Sequence, residues 1–162
     1  MITHATQDAA SGTMTLPTRF LTTLHEKYAA IPDSAISLLA RVGIAGIFWR
    51  SGQTKVNGWE IRDLTFDLFR DEYALPFIPV ELAAYSATIA EHLFPILLIA
   101  GLASRLSATA LLVMTAVIQI FVYPTSWPDH ALWAAALVFI MARGPGAISL
   151  DYLIRARFAT RR

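Results

Sequence analysis

Cysteine is missing from all 162 residues. Its absence removes disulfides, thiolate metal sites, iron–sulfur clusters and CxxC redox chemistry, and no other metal-ligating set stands out. Charge is scarce: 15% of the residues carry one, against roughly 25% in soluble domains. A formal net charge of +1 offers no basic surface for nucleic acid, so none is expected as a partner. No internal repeat or low-complexity tract is evident, which sets the chain apart from repeat-built transporters. The first 33 residues hold no apolar core followed by a small-residue cleavage site, so no signal peptide is expected.

What the chain has instead is apolar length. Hydrophobic residues make up 56% and the mean hydropathy is +0.51, the composition of an integral membrane protein. A span needs about 20 largely apolar residues to cross about 30 Å of hydrocarbon. Four segments qualify, at about 34–52, 79–101, 105–122 and 128–142. Pro79 suits the first turn of a helix, Tyr123-Pro124 stops the third span, and Gly144-Pro145-Gly146 breaks the fourth. Between the first two spans, Glu60, Asp63, Asp67, Arg70 and Asp71 gather on one helical face. Ile61, Leu64, Leu68 and Leu75 gather on the adjacent one. The fold expected is therefore all-α: a four-transmembrane-helix bundle over residues 34–152, with an amphipathic surface helix between spans one and two. Residues 1–33 form a loosely held tail in which TRFLTTLHEKYAAI makes a short surface helix, and 153–162 a basic tail.

Lys and Arg set the orientation. Arg19, Lys27, Arg105, Arg143, Arg155, Arg157, Arg161 and Arg162 fall on one side. Arg50, Lys55, Arg62 and Arg70 fall on the other, offset by five acids between residues 60 and 72. The positive-inside rule then puts both termini in the cytoplasm, in a cell inner membrane, with Trp49, Trp59, Tyr123 and Trp127 as an outer aromatic belt. The expected partners are the lipid bilayer and a membrane or periplasmic protein.

Ionisable residues inside a span seek the interior and a partner. Counted inward at about 1.5 Å per residue, Arg41 lies roughly 10 Å deep and Glu91 roughly 15 Å, so the pair Arg41–Glu91 is expected, with His92 beside it. Such a pair serves either catalysis or helix register. Glu81, Tyr85, Thr88 and His92 share one face of span two and are expected to hold a hydrogen-bonded chain leading outward. At the outer end Arg50, Lys55, Glu81, Gln119, Trp127 and His130 should converge as a receptor for a quinone-type head group; plain interface anchoring is the alternative for the cations and indoles. A haem between His92 and His130 fails on depth.

The stretches RVGIAGIFWRSGQTK, FRDEYALP, AEHLFPILLIAGLASRLSA and FVYPTSWPDHALWAAALVFIMARGPGAISLD resemble the DoxX family of small membrane proteins over about residues 36–152. The SGxxK ending, the GLxxR turn and the GPGxxSLD tail are the distinctive parts. The resemblance implies a four-helix membrane bundle. Some relatives are linked to thiosulfate:quinone oxidoreduction and others to oxidative-stress complexes, and no shared catalytic signature carries over. Two functions follow. One is a redox-associated subunit handling a quinone-type lipid, with protons moving through a polar interior. The other is a non-catalytic scaffold or assembly factor. The residues name no substrate and no cofactor beyond that quinone, and do not decide whether the chain is an enzyme.

Overall fold

The computed structural model describes residues 16–159; the tail expected at 1–33 lies outside them up to residue 15, as do residues 160–162. Helix α1, Leu16–Ala29, belongs to a small unit of its own, with almost all its described side chains exposed. The second unit begins at Asp33. It contains α2 (Asp33–Lys55), a two-residue hairpin (Val56–Asn57 with Glu60–Ile61), α3 (Asp63–Asp67, continued in wide π turns over Leu68–Tyr73) and α4 (Val80–Ala100). It continues with α5 (Ser104–Val117, widened over Ile118–Val122), α6 (Trp127–Arg143) and α7 (Leu150–Ala159).

The four long helices pack in cyclic order, α2 on α4 and α6, and α5 on α4 and α6. Their shared core is Ile44, Ala45, Phe48, Leu98, Ala108, Leu111, Leu137 and Ile140. Ala45 and Ala108 are wholly buried, the use of small residues that lets helices approach closely in lipid. The outward surface is apolar too: Leu39, Ile89, Leu106, Val113 and Leu132 are all exposed. A helix surface that is greasy on both sides belongs in a bilayer, and the protein is an all-α membrane protein. Val80–Ala100 and Ser104–Val122 are each long and apolar enough to cross by themselves. The other two long helices fall short for different reasons. Helix α2 carries Asp33, Arg41, Arg50 and Lys55, and α6 has 17 residues.

One end is tied by the GLxxR and GPGxxSLD segments. Gly101 has φ +68°, and a Cβ there would lie 2.5 Å from the Ser149 Cβ and 2.7 Å from the Arg41 Nη1. Asp151 accepts hydrogen bonds from the Ala103 and Ser104 amides at 2.9 and 3.0 Å, capping the orphan donors that open α5. Gly146, at φ +78°, would put a Cβ 2.6 Å from the Ser34 Cα. These motif residues hold the fold, and none of them lines the cleft described below.

The expected amphipathic segment is only partly a helix and packs mainly by a different face. Leu64 is 70% exposed. Phe66, Phe69 and Tyr73 pack on Ala83, Ala84 and Ala87 of α4, joined from the expected face by Leu75. A constant 100° per residue was the wrong ruler here, because the hairpin takes residues 60–61 and the turns widen from Leu68.

Candidate functional site

The buried face of α2 runs Ser37, Arg41, Ile44, Ala45, Phe48, Gly52, Lys55, the three- and four-residue spacing of one helical stripe. At Gly52 the backbone of α2 comes up against α4. A Cβ there would sit 2.8 Å from the His92 Cε1 and 3.2 Å from the Glu91 Cβ. With no side chain in the way, the flanking polar residues reach across. The Lys55 Nζ lies 2.7 Å from the Glu91 Oε2, both side chains 4% exposed. The Ser51 hydroxyl donates to the Glu91 Oε1 at 3.2 Å, and the Lys55 ammonium donates to the Ser51 oxygen at 3.1 Å. An ion pair in so dry a place holds only if each charge has close partners, and this triad supplies them. Pro95 lies one turn on, inside α4; its missing amide hydrogen frees the Glu91 carbonyl from the helical ladder.

The expected Arg41–Glu91 pair is not formed. Arg41 is fully buried, but its guanidinium donates to the carbonyls of Leu98, Ile99 and Ile148. The reason is register. Gly52 is the residue that meets Glu91, and it lies roughly 16 Å along α2 from Arg41. Counting depth from the span ends also stopped α2 at residue 52, one turn short of the cation that does reach the acid.

A cleft of about 360 Å³ opens beside the triad, enclosed by α2, α3, α4, α5 and α6. Ile47, Phe48, Ala87, Val117 and Trp133 supply much of an apolar wall, and Glu91, His130, Tyr73 and Tyr123 bring polar groups to it. Both widened segments contribute: Phe69 and Tyr73 from one, Ile118 and Val122 from the other. Wide turns of this kind often mark functional positions. The His130 Nδ1 lies 2.6 Å from the Gln119 Oε1, and the Gln119 amide donates to the Pro124 carbonyl at 2.8 Å. The His130 ring meets Trp133 edge-on at 4.9 Å.

At the mouth the Tyr123 hydroxyl donates to Glu72, and the Tyr73 and Tyr123 rings meet edge-on at 5.9 Å. The bond to Glu72, helped by burial and by Tyr73, pushes the Tyr123 phenol well above its ordinary value. Burial chiefly raises Tyr73. A phenol whose folded value is raised favours the folded state below its ordinary pKa of about 10, and that contribution fades as pH climbs through the raised value. Replacing Glu72 with Gln should therefore bring phenolate formation at Tyr123 to lower pH, read by near-ultraviolet absorbance against a Tyr123→Phe control. An unchanged titration would show that Glu72 does not hold the phenol.

The other expected site residues divide. Gln119, Trp127 and His130 do come together, along a second groove between α5 and α6. Glu81 and Arg50 are exposed, without a bonded partner among the described residues. Lys55 is deep inside with Glu91. The expected chain from Glu81 to His92 is not continuous. The Thr88 hydroxyl turns back to the Ala84 carbonyl, and Tyr85 is half exposed against Phe66. His92 lies between the Thr88 carbonyl and Gln53, 2.7 and 2.9 Å away, in a separate groove with Trp49. Trp49 stays exposed and meets the His92 ring edge-on. No group of three or more metal-ligating residues occurs among the described residues. Sequence reasoning missed Ser51, Tyr73, Tyr123 and Trp133 as cleft residues. For Ser51 a signal existed, since it sits four residues before Lys55 on one helical face.

The sequence profile of the DoxX family matches residues 36–124. A curated protein from Haemophilus influenzae, described as an uncharacterized protein, is 30% identical over 147 residues, covering 83% of this chain and 93% of that one. No solved structure matches.

Proposed function

The chain belongs to the DoxX family, and from that premise we propose that it is a redox-associated, multi-pass subunit whose cleft receives the ring of a quinone-type lipid. The observation that carries this is the cleft itself: an apolar chamber of about 360 Å³ with Glu91, His130, Tyr73 and Tyr123 at its wall. A mostly apolar cavity with a few convergent polar groups is the usual form of a small-molecule site. Its residues suit the ligand class. Phe48, Val117 and Trp133 would hold a flat ring, and His130 and Tyr73 would bond its oxygens. Lys55, Glu91 and Ser51 form a connected polar set on which a proton could be held beside it. A quinone supplies two-electron chemistry when bound; the chain's part is to bind, orient and exclude water.

In this reading α2, α4, α5 and α6 all cross an inner membrane. The basic end with Arg105, Arg143 and both termini faces the cytoplasm, and the cleft lies in the opposite half. The exposed acidic residues Asp63, Asp67 and Asp71 then face outward, where a periplasmic partner could meet them.

The test is small-molecule mass spectrometry of the purified, lipid-reconstituted protein. A prenylated quinone should co-purify in near-stoichiometric amount and fall away in a Trp133→Ala or His130→Leu variant that still folds. Equal quinone in parent and variants, or none in either, would contradict the reading and favour a scaffold role.

A further inference from the structure

We propose that the cleft distinguishes the two redox forms of its ring ligand and holds the hydroxylated, reduced form more tightly, through a hydrogen-bond acceptor that His130 is constrained to present. The proposal rests on the reading of the cleft as a quinone-type site, and goes beyond it by assigning which form is preferred and which residues decide.

The constraint is a relay of three groups. The Pro124 carbonyl can only accept a hydrogen bond, and the Gln119 amide end lies 2.8 Å from it; that end must be the nitrogen. The other end of the same amide is then an oxygen, which also only accepts, and it lies 2.6 Å from the His130 Nδ1. Nδ1 must therefore carry the hydrogen. In a neutral imidazole one nitrogen donates and the other accepts, so Nε2 is left with its lone pair. That atom has no partner among the described residues, while the ring is 5% exposed and lines the cleft. Gln119 lies in the widened segment Ile118–Val122 and Pro124 just beyond it, so the local backbone that ends α5 also sets the tautomer.

The donors around the cleft are mostly committed. Tyr123 donates to Glu72, Ser51 to Glu91, Ser86 to the Ala83 carbonyl, and Lys55 lies against Glu91 and Ser51. The Tyr73 hydroxyl is bonded to Tyr123, and the Trp133 indole N–H, without a bonded partner among the described residues, can donate to an oxygen of either form, so His130 is the group that separates them. A hydroquinone therefore finds at His130 an acceptor for one of its hydroxyls. A quinone places a carbonyl oxygen against the His130 lone pair, two acceptors facing each other with no hydrogen between them. Leaving a buried polar group without its partner is worth about tenfold in affinity or more. A tenfold preference would raise the potential of the bound couple by about 30 mV.

The full chain would be reconstituted in lipid nanodiscs and titrated anaerobically with a short-chain benzoquinone and, separately, its hydroquinone, by calorimetry. The hydroquinone should bind about tenfold tighter. Gln119→Leu, which releases the tautomer, should bring the ratio towards one. Should the leucine variant fail to fold, nitrogen-15 spectra of the parent's His130 ring decide independently, because Nδ1 must be the protonated nitrogen. Equal binding of the two forms, tighter binding of the quinone, or a proton on Nε2 would overturn the proposal and leave the cleft assignment standing. Binding of neither form would overturn the cleft assignment as well.

Discussion

Replacing Lys55 with Leu should cost about 3–5 kcal/mol of stability, the loss typical when one partner of a buried ion pair is removed. Glu91 would keep only the Ser51 hydroxyl, in surroundings where its side chain is 4% exposed. Glu91→Leu should cost a similar amount, because it strands the ammonium. The double replacement should recover most of that loss, since an apolar pair of similar volume in place of a buried ion pair is often neutral or stabilising. Unfolding midpoints of the four proteins in one detergent give the coupling directly. If the losses of the two single variants simply add in the double, Lys55 and Glu91 do not act as a pair. The double variant has a second use. It should fold and still bind ring ligand, because His130 and Tyr73 remain on the cleft wall, but it lacks the polar set that would hold a proton beside the ring.

Arg41 should be nearly as sensitive, for a different reason. Its guanidinium is fully buried and reaches three backbone carbonyls, of Leu98, Ile99 and Ile148. Those carbonyls come from the end of α4 and from the segment before α7, so one side chain ties two distant parts of the chain. Arg41→Met withdraws donors from all three, and each buried group left unmatched costs roughly 1–3 kcal/mol. A total loss of about 3 kcal/mol or more is expected. Arg41→Lys should rescue little, because an ammonium does not reproduce the planar fork of a guanidinium. Ligand affinity per folded molecule should stay at the parent value in both variants. Loss of affinity in the folded fraction would mean that Arg41 belongs to the site after all.

These two residues also mark where sequence reading works and where it stops. Long helices at 80–100, 104–122 and 127–143 were legible because Pro79, Gly101, Tyr123-Pro124 and Gly144-Pro145-Gly146 bound apolar runs of the right length. That Arg41 and Glu91 must both be buried was legible too. Their partners were not, because pairing depends on the register between α2 and α4, and Gly52 sets that register by close approach. The spacing 41–44–48–52–55 already put Lys55 on the inward stripe; treating it as an interface cation discarded that information. The bulk of the cleft was out of reach for another reason. Phe69, Tyr73, Ile118 and Val122 come from helical turns wider than the α period, and a fixed angular step cannot place them. His130 and Gln119 were named together from sequence, but the relay through Pro124 that orients them depends on the fold of the 118–124 segment.

The most direct test of the central claim is the position of a photoreactive quinone analogue cross-linked to the reconstituted protein and mapped by peptide mass spectrometry. Adducts are expected at the cleft-lining residues Ala83, Ala87 and Glu91 of α4 and His130 and Trp133 of α6, displaced by excess unlabelled quinone. Adducts confined to outward-facing residues such as Leu82, Ile89 and Leu106, indifferent to competitor, would contradict it.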